Sequence, residues 1–124
     1  MDREKTKQAA EQVFRDMAGA MTAGMVYVGT RTGLFRAMQG KGAMGLQEVV
    51  DASGLQARYV EEWLKGMASA GYLDYEPATQ RYALSDEHAH FLAWDGSDHC
   101  AGGMFEMVPV LMRVAPRVAE AFAK

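Results

Sequence analysis

Disulfide bonding, secretion and membrane insertion each need something this chain has little of. Its single cysteine, Cys100, excludes an internal disulfide and fits a reducing compartment. The N-terminus, MDREKTKQAAEQ, is charged and polar and lacks the apolar core of a secretory signal. No apolar run approaches the roughly 18 residues that a transmembrane helix needs. The expectation is a soluble, cytoplasmic protein with no membrane partner. Charge of one sign is also missing. The 13 Lys and Arg face 16 Asp and Glu, a net charge of −3, so the chain as a whole has no pull toward nucleic acid. With 124 residues and no low-complexity tract, it is long enough for one domain with its own core.

Chemistry-bearing constellations are equally scarce. Ser53, Ser69, Ser85 and Ser97 have no His and acid at a recognisable spacing, so no catalytic residue is assigned. His88, His90, His99 and Cys100 lie close in sequence, but on a helix His88 and His90 point about 200° apart. Their spacing matches no standard zinc pattern, and no metal ligand is assigned. "GKGAMG", Gly40 to Gly45, fits G-x-G-x-x-G, a motif that binds a dinucleotide when it directly follows a β-strand. Here "GLFRAMQ" precedes it with helical spacing. The expectation is a flexible interhelical loop, with no cofactor-binding residue in this chain.

What is present is helical periodicity. Val13 or Phe14, Met17, Met21, Met25 and Val28 recur at steps of three and four, predicting one face of a first helix over residues 4–28. Gly19 and Gly24 weaken that helix by roughly 1 kcal/mol each unless another backbone packs close. "LFRAM" makes a short apolar turn. "LQEVVDASGL" predicts a short helix burying Leu46, Val49 and Val50 and ending at Gly54. "RYVEEWLKGMASAG" predicts the next helix, with Tyr59, Val60, Trp63, Leu64, Met67 and Ala68 inside and Gly71 at its end. "YLDYE" and "RYAL" alternate as strands around the turn "PATQ". "SDEHAHFLAW" predicts a helix capped by Ser85, although His88 stands where a capping box has Glu or Gln. From Ser97 onward Met104, Met107 or Val108, Leu111, Val114 and Val118 predict a last helix bent by Pro109 and Pro116.

The order α, α, α, α, β, β, α, α is mainly α with a small β-hairpin. It is a winged helix-turn-helix flanked by longer N- and C-terminal helices. The division expected is 1–38 for N-terminal dimerisation helices, 39–95 for the winged core and 96–124 for a linker helix. The last segment stops with its period unbroken and no C-cap glycine, so the chain reads as the front piece of something longer.

Such a fold often reads DNA, which needs cations on the exposed face of the second helix of the motif. The outward residues are Arg58, Glu61, Glu62, Lys65 and Ser69, whose charges cancel. The predicted wing adds Arg81 but also Asp74 and Glu76. A packing scaffold is favoured over the alternative, a DNA-binding transcriptional regulator, and no nucleic-acid partner is expected.

Six of the ten methionines form two stripes, Met17, Met21 and Met25 on one helix and Met104, Met107 and Met112 on another. A domain this small can hardly bury both. A homodimer is therefore expected, with Phe14, Met17, Met21 and Met25 as its interface. Met104, Phe105, Met107 and Leu111 would suit a pocket wall.

"GTRTGLFRAM", "LQEVVDASGLQARYVEEWLKGMASAGYLDYEPATQRYALSDEHAHFL" and "VPVLMRVAPRVAEAF" together resemble the N-terminal winged-helix domain of class I S-adenosylmethionine-dependent methyltransferases. The resemblance covers most of the chain from about residue 20. It implies that the first helix dimerises, that the Met104–Met112 helix walls a substrate pocket, and that a Rossmann-like catalytic domain follows in the complete enzyme. There a methyl group would pass from S-adenosylmethionine to O, N or C of a small molecule. The family's glycine-rich cofactor loop has no counterpart here, so the chain alone is expected to be inactive.

Overall fold

The computed structural model describes residues 1–93 and 102–123. Trp94, Ser97, His99 and Cys100 lie outside the described residues.

Helix α1 (Arg3–Thr32) is capped by Asp2, whose carboxylate accepts the N–H groups of Glu4 and Lys5 at 2.9 and 3.1 Å. It ends where Gly33 takes the left-handed conformation (φ +81°), a backbone position that disfavours a side chain. The chain turns there directly into α2 (Leu34–Met38), whose Leu34, Phe35 and Met38 are all buried.

Helices α3 (Leu46–Ser53) and α4 (Ala57–Ser69) form the helix-turn-helix. Gly54, at φ +72°, closes α3 by donating its N–H to the Val50 carbonyl at 2.8 Å. Val60, Trp63, Leu64 and Met67 recur at steps of three, one and three, so α4 buries one stripe against α3 and α1. Tyr59, expected on that inner face, is instead 68% exposed. It stands one residue before Val60, about 100° off the stripe's centre, at the rim.

The wing is a three-stranded antiparallel sheet in the order β1-β3-β2, with β1 Ala43–Met44, β2 Asp74–Glu76 and β3 Arg81–Ala83. This corrects two expectations. "GKGAMG" is no free loop, because Ala43 and Met44 pair with Ala83 and Tyr82 and bury Met44. The strands are also shorter than "YLDYE" and "RYAL", since Tyr72 and Leu73 turn their N–H groups back to the Met67 carbonyl and close α4. Gln80 reverses the chain before β3 at φ +53°.

Helix α5 (Asp86–Leu92) is capped as expected, with Ser85 Oγ accepting the His88 N–H at 3.1 Å. His88 then supplies the other half of the contact with its ring, Nδ1 lying 2.9 Å from the same hydroxyl. The predicted last helix is two, α6 (Gly102–Phe105) and α7 (Met107–Ala121), and the break falls at Glu106. Neither proline ends a helix. Pro109 sits in the first turn of α7, where backbone N–H groups have no intrahelical partner, and α7 runs on through Pro116.

One core unites these elements: Val26 of α1, all of α2's apolar face, Val49, the α4 stripe, Leu73, Tyr82, Leu84, Ala89 and Leu92. Its tightest point is Gly29. A Cβ there would lie 2.5 Å from Phe35 and 2.6 Å from Trp63, so only glycine lets α1 approach both rings. Those rings pack edge to face at 5.0 Å, and Trp63 Nε1 donates to the Met25 carbonyl at 3.0 Å.

Candidate functional site

The helix-turn-helix face is electrically spent on itself. Lys65 donates to Glu61 at 2.9 Å one helical turn away, and that carboxylate raises the lysine's pKa. Arg81, the wing's cation, forms an ion pair with Glu48 of α3 and donates to the Ala43 carbonyl at 3.4 Å. It therefore ties the wing to the motif and to β1 instead of extending from them. Arg58 and Glu62 complete an exposed face on which the charges cancel.

The glycine motif does not fit a dinucleotide or S-adenosylmethionine. Gly40 and Gly42 have the positive φ of tight turns, +71° and +68°, but α2 and not a strand precedes them. The N–H of Gly45, which would face an anion at the start of α3, is held by the Glu48 carboxylate at 3.4 Å. A negative charge already occupies that place. Among the described residues no three His, Cys, Asp or Glu side chains converge on one point. His88 is engaged with Ser85 and packs on Tyr72 at 5.4 Å.

The apolar faces of the outer helices are another matter. Phe14, Met17 and Met21 are 72%, 62% and 69% exposed, and only from Met25 onward does α1 sink into the core. Met25 is half-buried, its terminal methyl against Gly66 of α4. Of the four expected pocket-wall residues, Met104, Met107 and Leu111 are exposed, while Phe105 is half-buried against the core. Leu111 lines an open apolar groove of about 580 Å³ along α7 with Val114, Ala115, Val118, Ala119 and Phe122.

Two further hollows have no counterpart in the sequence reading. A cleft of about 490 Å³ between α4 and the wing is lined by Glu61, Lys65, Tyr75 and Tyr82 among others. An apolar groove of about 280 Å³ lies where α1, α2 and α4 meet, walled by Val28, Leu34, Leu55, Tyr59, Val60 and Trp63.

A model of the Rv2258c-like winged HTH domain matches residues 11–94, most of the chain. The chain belongs to that family. No curated protein matches it by sequence. Among solved structures, human N-acetylserotonin methyltransferase with SAM superimposes with a TM-score of 0.75 at 18% identity, over 94% of this winged HTH chain and 35% of its own. CalO1, a methyltransferase of calicheamicin biosynthesis with SAH bound, gives 0.71 at 22% identity over 98% and 35%. An O-methyltransferase family protein from Burkholderia thailandensis gives 0.66 at 15% over 100% and 34%. These likenesses show the fold. The winged HTH chain spans about a third of each of these proteins. The winged-helix fold implied by the resemblance is borne out, and the three solved proteins just named are methyltransferases.

Proposed function

We propose that this winged HTH chain is a dimerisation and substrate-capping module of a small-molecule methyltransferase that uses S-adenosylmethionine. The observation that carries this reading is the contrast between a charge-balanced α4 face and two long apolar faces left open on α1 and α7. The first is poor at holding a polyanion. The second has the make-up of a surface that another protein element covers. Two of the solved proteins that share the fold, human N-acetylserotonin methyltransferase and CalO1, carry SAM and SAH, which supports the choice of cofactor for the complete enzyme.

In this reading residues 1–38 dimerise, 39–95 form the winged core and 96–124 lead toward a catalytic domain. Phe14, Met17, Met21 and Met25 meet a second copy. Met104, Phe105, Met107 and Leu111 face the substrate once that domain is in place, and the chain alone transfers no methyl group. The protein works in the cytoplasm.

Calorimetry with S-adenosylmethionine and fluorescence anisotropy with duplex DNA at low salt test the proposal together. Neither titration should show binding. Micromolar cofactor affinity would place the cofactor site in this chain, and salt-sensitive DNA binding would make it a regulator.

A further inference from the structure

We propose that a second copy of this chain lies antiparallel along α1, on a two-fold axis through Met21, and seats its Phe14 in the groove beside Val28. This rests on the dimer reading above and adds its register and its socket.

The register comes from the stripe itself. Phe14, Met17, Met21, Met25 and Val28 are separated by three, four, four and three residues, a spacing that reads the same in both directions from Met21. An antiparallel copy centred there sets Met21 on Met21, Met17 on Met25 and Phe14 on Val28. Parallel pairing would stack Phe14 on Phe14 and use none of this symmetry. In the paired stretch, residues 14–28, only Arg15 and Asp16 are charged, and both stand roughly 100° or more off the stripe, so no ionised group lies on the contact line. Gly24 has nothing within 4 Å of where a Cβ would stand, leaving room for a second helix at close range.

The socket comes from the structure. Val28, the far end of the stripe, is also a wall of the 280 Å³ apolar groove with Leu34, Leu55, Tyr59, Val60 and Trp63. A cavity of ~150 Å³ lined by aliphatic residues suffices for benzene, so the groove is large enough for a benzyl side chain. Phe14 is 72% exposed in its own protomer and has no other shelter there. Tyr59, exposed at the rim, would close over it. Each copy thus supplies the residue that fills the other's groove, twice, by symmetry.

Cysteine cross-linking reads the register. With Cys100→Ser to remove the native thiol, Met21→Cys should give a disulfide-linked dimer rapidly under mild oxidation. Met17→Cys should not, because four residues from the axis put the two sites ~12 Å apart, beyond the ~7 Å Cα reach of a disulfide. A double-mutant cycle reads the socket. Phe14→Ala and Tyr59→Ala should each weaken the dimer by about tenfold, and together little more than either alone. Linking through Met17→Cys but not Met21→Cys in a dimeric protein overturns the register and leaves the dimer reading standing. Multiplying effects in the cycle overturn the socket and leave the groove to another occupant. A protein that stays monomeric overturns the dimer reading itself, and this proposal with it.

Discussion

The middle of α4 and the middle of α1 carry the same kind of signal, apolar residues at steps of three and four, and meet opposite fates. On α4, Val60, Trp63, Leu64 and Met67 are at most 2% exposed. On α1, Phe14, Met17 and Met21 are all above 60%. Periodicity reports that a helix has an apolar face. Whether the same chain covers that face depends on the supply of neighbours. Helix α3, the C-terminal part of α1 and Phe35 of α2 close around α4, whereas the first half of α1 is exposed throughout. The difference teaches that the compact half is a stability device, while the open half is the part that the proposed dimer would use.

Substitutions in the two halves should separate these roles. Trp63→Ala strikes the compact half hardest, removing the ring against Phe35 and the hydrogen bond to Met25. A loss of ~3–5 kcal/mol in urea unfolding is expected. Met21→Ser, by contrast, should change unfolding of the dilute protomer by less than ~0.5 kcal/mol. Equal losses at the two sites would erase the distinction.

Gly29→Ala comes next, at ~1–3 kcal/mol, because its Cβ would press on two rings of a packed core. Gly66→Ala sharpens the point. There the Cβ would meet only the movable terminal methyl of Met25, at 2.8 Å, and the thermal midpoint should fall much less. Smaller still, Ser85→Ala removes the α5 cap and should cost about 1 kcal/mol in the same melts.

The smallest effect concerns alkaline pH. Burial, with Tyr75 beside it, pushes the phenol of Tyr82 above its ordinary value. The fold therefore favours the neutral form. That contribution is complete below the unfolded value near ~10 and is lost as pH rises through the folded one. Ultraviolet titration should show a late phenol step that Tyr82→Phe abolishes. A single common step would mean that Tyr82 is not held neutral.

The helix-turn-helix and the β2–β3 hairpin were legible because glycines punctuate clear periods, as at Gly54 and Gly71. Strand β1 was not. Two residues offer no alternation, and Ala43–Met44 becomes a strand only because β3 is there to pair with it. The break at Glu106 was hidden behind more conspicuous prolines, which a first turn and a long helix accommodate. The open faces were legible as apolar stripes, but the groove beside Tyr59 was not. It arises from three helices meeting, and no local pattern encodes it.

Sedimentation equilibrium of the unmodified chain over a wide concentration range tests the central claim, that a second copy covers the open face of α1. The account predicts a reversible association whose limiting mass is that of two chains and which Phe14→Ala shifts toward the monomer. A single-chain mass at every concentration, with the stripe left in water, would contradict it.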